Sequence, residues 1–319
     1  MIRVLVRGAK TFIEAAAGET FVLPDDAVWV DLLNPTRDEE KACEAVFAIN
    51  LPTREEMGAL ETSARLYKEG EATVMTATVM ALSDTETPVA APITFVLVAG
   101  KLVTIRYIEP KAFAVFARQL EREPQICASG AAVFTSLLEA IVDRIADVLE
   151  TAGNEVEALS TSVFGRPAKV DFRPVMKGLG RVQNINAKAR SSLVSLARLI
   201  GFATLAEPID REKDLRAHLK SVQRDVVSLT DHSSYLGDNI VFLLDAALGL
   251  INVEQNAIIK FFSVAAVVFL PPTLVASYFG MNFHNMPELA WPWGEGFAML
   301  LMAISVLVPL WWFKKRGWL

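Results

Sequence analysis

Two long apolar runs in the last quarter of the chain constrain its fold more than any other feature. Residues 261–279 contain no charged residue over 19 positions, and residues 296–313 contain none over 18. A helix that crosses a bilayer needs about 20 apolar residues, with a range of roughly 17–25. We therefore predict a membrane-spanning hairpin, with TM1 over about 258–280 and TM2 over about 296–313, rather than two buried core helices.

The charges beside these runs predict the orientation of the hairpin. Lys260 precedes the first run and the basic segment Lys314–Arg316 follows the second, whereas the loop 281–295 has no Lys or Arg and carries Glu288 and Glu295. Basic residues concentrate on the cytoplasmic side of membrane proteins. The chain is thus expected to be a multi-pass protein of the cell inner (plasma) membrane, with both termini and the basic tail in the cytoplasm and the loop outside.

The composition of the chain excludes several classes of protein. The formal net charge of −6 argues against a general nucleic-acid binder, which would be strongly basic. Cys43 and Cys127 have no metal-ligand spacing. No G-x-x-x-x-G-K-[ST] phosphate loop is present, so a Walker-type ATPase is not expected. We predict no enzymatic activity and no bound cofactor.

Residues 1–128 are predicted to form a cytoplasmic α/β domain. Asn34-Pro35-Thr36 precedes a helix, with Pro35 suited to a first turn and Thr36 and Glu39 placed for a capping box. A second helix is expected over about 110–123. The runs typical of strands are 2–6, 28–33, 72–82, 93–98 and 102–107.

Residues 129–257 are predicted to form a cytoplasmic helical domain and stalk. A helix over about 131–164 is acidic and the next, over about 168–203, is basic. The basic run is either one half of an antiparallel hairpin with facing opposite charges or a patch for nucleic acid or lipid. After Glu207-Pro208, apolar residues recur in steps of three and four with one gap at Ser233. A helix continuous from 210 to 279 would be about 105 Å long and would need neighbours from its own chain and from other subunits.

The loop after the first apolar run carries two motifs. Gly280-Met281-Asn282 follows the run directly, and Met-Pro-Glu-Leu occupies 286–289. In this position, between two C-terminal apolar runs, the chain resembles the CorA family of magnesium channels, and the segment 249–282 is especially similar to the enterobacterial branch. The resemblance implies a funnel-shaped homopentamer for passive Mg²⁺ influx. Co²⁺ and Ni²⁺ would be further permeant ions, and intracellular Mg²⁺ would be the gating ligand as well as the substrate.

The chemistry of Mg²⁺ suits a filter formed by Gly280, Met281 and Asn282. Mg²⁺ prefers oxygen ligands and gives up its water slowly. A ring of neutral amide oxygens from Asn282 would hold the hydrated ion, whereas carboxylates in a narrow filter would bind it too tightly for release. Gly280 would let the backbone turn and approach closely. The alternative role of Asn282 is that of a helix C-cap, which is compatible with the filter.

Helical spacing predicts a pore face below the filter. By resemblance Asn256 and Thr273 match polar pore positions and Phe262 matches an apolar gate. The alternative for Thr273 and Ser277 is a hydrogen bond back to a helix carbonyl. Pro271-Pro272 predicts either a gating kink or a fixed bend. The residues of the predicted face are Asn256, Ile259, Phe262, Ala266, Leu270, Thr273 and Ser277.

Acidic residues supply the predicted metal-sensing sites. Asp231, Asp238 and Asp245 recur every seven residues, so each would form a ring of carboxylates in a symmetric bundle. Asp225, with Asp84 and Glu86 from a loop, completes this predicted regulatory set, and solvated helix surface is its alternative. In the outer loop, Glu288 and Glu295 would concentrate cations at the pore mouth.

Two other functions remain open from the sequence. One is a zinc transporter of the related ZntB branch, against which the Met-Pro-Glu-Leu loop argues. The other is a membrane-tethered helical scaffold, which would have no use for a polar residue such as Asn282 at the end of a spanning helix. Comparison of Mg²⁺ and Zn²⁺ uptake separates these functions.

Overall fold

A computed structural model describes residues 1–15, 21–59, 61–83, 85, 87–165, 171–281 and 291–317. The chain divides into two compact units, Met1–Leu244 and Asp245–Leu319. The described strands are β1 (Ile2–Val6), β2 (Ile13–Ala15), β3 (Ala27–Leu33), β4 (Leu66–Glu69), β5 (Ala72–Ala81), β6 (Val89–Val98) and β7 (Lys101–Arg106). The described helices are α1 (Arg37–Phe47), α2 (Arg54–Met57), α3 (Thr62–Arg65), α4 (Lys111–Arg122), α5 (Gly130–Phe164), α6 (Phe172–Ala203), α7 (Glu207–Arg211), α8 (Lys213–Phe279) and α9 (Gly294–Lys315), with a 3₁₀ helix over Pro124–Ala128.

The strands form one mixed sheet in the order β2-β1-β3-β7-β6-β5-β4. Neighbouring strands in this sheet are antiparallel, except that β3 and β7 run parallel. The register aligns Arg3 of β1 with Asp31 of β3, and Asp31 with Thr104 of β7. Polar side chains of three strands therefore lie side by side within an otherwise apolar sheet.

Helices cover both faces of this sheet. On one face, Cys43 of α1 and Met57 of α2 join the buried side chains of the strands in a single apolar cluster. On the other face, the ring of Trp29 lies 5.8 Å from that of Phe116 in α4, measured between centroids. Phe95 of β6 contacts Phe134 of α5 edge to face, also at 5.8 Å. The domain is thus a three-layer α/β/α arrangement, in agreement with the predicted α/β class.

Local sequence accounts for two helix starts. The Thr36 side chain accepts a hydrogen bond from the Glu39 amide and the Glu39 side chain accepts one from the Thr36 amide, so the predicted capping box is confirmed. Pro35 precedes the cap rather than entering the first turn. At the start of α5, a Cβ added to Gly130 would lie 2.4 Å from backbone atoms of Lys101 and Leu102. Only glycine lets α5 begin this close to β7.

The long helices α5 and α6 pack on the sheet through their apolar faces. The third helix is continuous through the first apolar run to Phe279, and it begins at Lys213 rather than at 210, because Glu212 has an extended backbone that separates α7 from α8. The predicted stripe on α8 packs inward through Leu219, Val222, Val226, Leu236, Ile240, Leu243 and Ala247. Between α5 and α6, Arg181 forms an ion pair with Glu155 at 2.5 Å.

The C-terminal unit contains the rest of α8 and α9. Both helices are long and apolar enough to cross a membrane, and mean hydropathy reaches 2.0 in a window of each. α8 is 67 residues long and α9 is 22. The predicted combination of an α/β domain, a long helix and two apolar C-terminal helices is confirmed.

Candidate functional site

The predicted pore-facing side chains occupy one exposed face of α8. Their steps of three and four residues place them within about a third of the helix circumference. All seven side chains, from Asn256 to Ser277, are exposed in the single chain. The opposite face is partly buried in the later part of this segment only, through Val264, Ala265, Val267, Val268, Pro271, Pro272, Val275 and Phe279. Beyond position 262 the segment therefore has a partly covered side and an exposed side, with the candidate pore stripe on the exposed side, whereas residues 252–262 are exposed all round.

The hydroxyl of Thr273 adopts the alternative foreseen from the sequence. Its Oγ1 donates to the carbonyl of Phe269 at 2.6 Å, one turn earlier on α8. This bond uses the hydroxyl proton and leaves the lone pairs of Oγ1 able to accept a hydrogen bond from water. Thr273 can therefore face a hydrated ion only as an acceptor.

Pro271 and Pro272 lie within α8, which continues through them to Phe279. Proline has no amide proton, so the carbonyls of Val267 and Val268 lack their usual helical partner. Both prolines are partly buried. Unpaired carbonyls in a membrane helix are tolerated where other groups or water in a cavity satisfy them.

Gly280 directly follows the last residue of α8, and its backbone lies close to the carbonyl of Ala276. Its amide donates to the carbonyl of Ala276 at 2.9 Å, and an added Cβ would lie 3.2 Å from that carbonyl oxygen. Gly280 does not adopt the left-handed conformation, so a positive φ does not account for glycine at this position. Met281 is exposed and its amide donates to Tyr278. Asn282, Glu288 and the rest of 282–290 lie outside the described residues.

The start of α9 carries the described part of the outer loop. Glu295 is exposed in the first turn of α9, where a carboxylate interacts favourably with the helix dipole. Trp291 and Trp293, just before this turn, are also exposed. At the other end, Lys315 lies over the Trp311 ring at 5.2 Å and Arg316 over the Trp312 ring at 5.1 Å. Aromatic and basic side chains of this kind are typical of membrane interfaces.

The candidate regulatory carboxylates do not meet within one chain. Asp225, Asp231, Asp238 and Asp245 are all exposed on α8, and residues seven apart stand about 10 Å apart along a helix. Within the described ranges, no group of three or more His, Cys, Asp or Glu is placed to hold a metal ion. Asp84 and Glu86 lie outside those ranges.

Helix α5 carries acidic residues that are not among the metal-sensing sites predicted from the sequence. Burial raises the pKa of Asp143, and the carboxylates of Glu139, Asp147 and Asp225 raise that pKa further. Glu139 also pairs with His218 of α8, at 3.0 Å. The four-residue spacing of Glu139, Asp143 and Asp147 was the available signal, because it places the three on one face of a helix.

An α/β domain, a long helix and two terminal apolar helices define a two-span membrane protein with a large extramembrane domain. The model of the CorA-like Mg²⁺ transporter protein family matches residues 24–315. A relative from Salmonella typhimurium, named magnesium transport protein CorA, is 33% identical over 316 residues, which cover 99% of this chain and 98% of the relative. The chain therefore belongs to the CorA-like Mg²⁺ transporter family, whose members are transporters rather than enzymes.

Solved structures share the fold. The complete structure of the CorA magnesium transporter from Methanocaldococcus jannaschii superposes with a TM-score of 0.77 and 17% identity, covering 100% of this chain and 99% of that one. The ZntB cytoplasmic domain from Vibrio parahaemolyticus gives a TM-score of 0.57 and 12% identity, covering 79% of this chain and 98% of that one. The full-length CorA fold is thus the better match, and the ZntB likeness is more distant.

Proposed function

We propose that this protein is a passive channel for Mg²⁺ influx, with Co²⁺ and Ni²⁺ as further permeant ions. It works as a homopentamer in the cell inner membrane, with both termini in the cytoplasm. The observation that carries the proposal is the exposed stripe on α8 that leads to Gly280-Met281-Asn282. A single stripe cannot enclose a pore, whereas five copies around an axis can.

The polar groups proposed to meet the ion are neutral. Each copy supplies the amide of Asn256, the hydroxyls of Thr273 and Ser277, and the amide of Asn282 at the outer end. Neutral oxygens bind the water shell of Mg²⁺ without stripping it, which favours release as well as capture. Ile259, Phe262 and Leu270 supply the apolar wall between them, and Phe262 is the proposed gate.

The membrane potential suffices as the energy source. A potential of 100 mV provides about 2.3 kcal/mol for each charge, or about 4.6 kcal/mol for a divalent ion that moves inward. Closure is proposed to follow from intracellular Mg²⁺ binding to carboxylates of several subunits. The proposed regulatory set is Asp84, Glu86, Asp225, Asp231, Asp238 and Asp245.

Ion uptake by purified protein in liposomes tests the proposal. With a membrane potential that is negative inside the liposomes, we expect Mg²⁺ uptake well above that of liposomes without protein. Uptake of Zn²⁺ should be lower than that of Mg²⁺. Preferential Zn²⁺ uptake would instead support the ZntB-like function, and no uptake of either ion would support a scaffold.

The filter is tested in the same assay by Asn282→Ala. This change should abolish Mg²⁺ uptake, because it removes the ring of amide oxygens, and should leave the oligomer size unchanged. Asn285→Ala, a matched amide deletion three residues further along the loop, is the control and should conduct normally. Near-normal uptake by Asn282→Ala would refute the filter assignment.

A further inference from the structure

The buried stripe of α8 is interrupted by one polar side chain. Among the described residues of α8, Ser233 is the only buried one that is polar. It is fully buried, and it faces Asn186 of α6, which is only 4% exposed. A serine and an asparagine thus meet at the point where the sequence pattern of the stripe has its gap.

Asn186 and Ser233 hydrogen-bond in both directions. Ser233 Oγ donates to Asn186 Oδ1 at 2.8 Å, and Asn186 Nδ2 donates to the backbone carbonyl of Ser233 at 3.0 Å. Gly237, one turn further along α8, leaves room for the amide, since a Cβ there would lie 3.3 Å from Asn186 Nδ2. The amide of Asn186 is therefore fitted to one position of α8.

The other buried polar side chains of α5 and α6 form their hydrogen bonds within their own helix rather than to α8. Thr135 Oγ1 donates to Ala131 at 2.9 Å and Ser192 Oγ donates to Lys188 at 3.1 Å, each within its own helix. Those bonds survive any movement of α8. The Asn186–Ser233 pair does not, because its two partners belong to different helices.

A purely apolar stripe fixes the register of a helix weakly. Hydrophobic burial is non-directional, so a shift of about one turn, 5.4 Å, exchanges one set of apolar contacts for another. A buried amide resists such a shift, since displacement leaves its donors and acceptor unpaired. A single buried asparagine that sets the register of packed helices is the best documented use of such a group.

We infer that Asn186 is a positioning residue that fixes the register and rotation of α8 and thereby sets the balance between the closed and open channel. The inference rests on the proposed function, because it concerns the gating of that channel. α8 is continuous from the Ser233 contact to Phe279 and carries the pore stripe. A change of register at Ser233 thus acts on the helix that bears Asn256 and Phe262.

The experiment measures Mg²⁺ flux into liposomes as a function of internal Mg²⁺, with the full-length protein. The variants are Asn186→Leu, Ser233→Ala and their combination. The matched control is Ser192→Ala, which deletes a fully buried hydroxyl whose bond stays within α6. We expect Asn186→Leu and Ser233→Ala each to shift the internal Mg²⁺ concentration for half-closure by about five-fold or more, the lower end of typical allosteric couplings.

Further outcomes separate positioning from simple stability. The combined variant should shift the half-closing concentration no more than the larger single variant, and Ser192→Ala should leave it unchanged. If Asn186→Leu and Ser233→Ala lower the melting temperature but leave the half-closing concentration unchanged, the contact is only structural and the inference is wrong. Ser233→Ala keeps the test decisive if Asn186→Leu fails to fold, because it removes a single oxygen atom.

The proposed function and the inference can fail separately. If the wild type conducts no Mg²⁺, or conducts it without closing at high internal Mg²⁺, the proposed function is refuted in whole or in its gating step. The contact itself is then judged by thermal unfolding of the same four variants. Additive losses from Asn186→Leu and Ser233→Ala would overturn the register assignment, and strong coupling between them would support it.

Discussion

Asp31 is expected to be the most costly charged side chain to remove from the N-terminal unit. It is 1% exposed and accepts hydrogen bonds from Arg106 Nε and Nη2, both at 2.9 Å. Arg3 Nη2 donates to it at 2.6 Å and Thr104 Oγ1 at 2.8 Å. Thr104 in turn accepts from the indole nitrogen of Trp29 at 2.9 Å. One carboxylate on β3 therefore accepts hydrogen bonds from donors on both neighbouring strands, β1 and β7.

The expected loss in the free energy of unfolding follows from the buried charge that Asp31→Ala leaves without a partner. Arg106 is 3% exposed, so its guanidinium would remain buried without its anionic partner. Removal of one partner from a buried ion pair costs about 3–5 kcal/mol in the free energy of unfolding. For a domain of this size that corresponds to a fall in melting temperature of roughly 6–20 °C, at about 2–4 °C for each kcal/mol.

The control is an ion pair of similar geometry near the surface. Arg181 and Glu155 approach to 2.5 Å, but their side chains are 49% and 24% exposed. Glu155→Ala should cost less than about 1 kcal/mol, because water replaces the lost partner. The paired change Asp31→Leu with Arg106→Met should cost less than Asp31→Ala alone, since it leaves no unpaired charge on Arg106.

Thermal unfolding of the detergent-purified protein, followed by circular dichroism, measures these differences. If Asp31→Ala and Glu155→Ala lower the melting temperature by the same amount, burial does not govern the strength of the network and the reasoning is refuted. A paired variant no more stable than Asp31→Ala would refute the unpaired-charge explanation specifically.

Three further predictions follow from glycine packing, a buried thiol and the outer loop. Gly130→Ala should destabilise the folded protein by at least about 1–3 kcal/mol through overpacking against β7. The control Gly153→Ala should not destabilise it, because no atom lies within 4 Å of the new Cβ. Equal melting temperatures of the two variants would contradict this. Burial raises the pKa of Cys43 to about 12, so its thiol should resist alkylation at pH 8 in the native protein. The contribution of the buried thiol to the free energy of unfolding should fall as the pH rises from about 9 to 12, because the thiol ionises first in the unfolded chain. Rapid labelling of the native protein would refute this. Glu288→Gln with Glu295→Gln should weaken uptake affinity several-fold at low salt, less at high salt, without a change in ion ranking; a salt-independent loss would indicate a structural role.

Strands marked by a local run of β-forming residues were predicted from the sequence, whereas strands that form only by pairing with an adjacent strand were missed. The run 2–6 matches β1, and 28–33 and 102–107 match β3 and β7 within one residue at each end. The missed strands, β2 and β4, lie at the two edges of the sheet and have three and four residues. Their extended conformation comes from pairing with β1 and β5 rather than from composition, so no local pattern indicates it.

Contacts between distant segments were the second limit. Asp31 is evident in the strand run 28–33, but only the register of β1, β3 and β7 shows that it faces Arg3 and Thr104. Likewise the gap at Ser233 was visible in the stripe, while its partner Asn186, 47 residues earlier, was not. Sequence periodicity identifies the face of an element and does not identify the residue opposite.

The proposed separation of ion selection from gating has a physical reason. Asn256, just before the predicted span, and Thr273, within it, are about 25 Å apart along the axis of α8, and the candidate stripe between them is apolar. An apolar bore offers a hydrated divalent ion no ligand, so it can stop conduction by losing water but cannot select among ions. In the proposed channel, selection is therefore expected where amide oxygens are supplied, at Asn282. Gating of the proposed channel would then come from movement of α8, and this is the movement that the proposed Asn186–Ser233 contact would restrain.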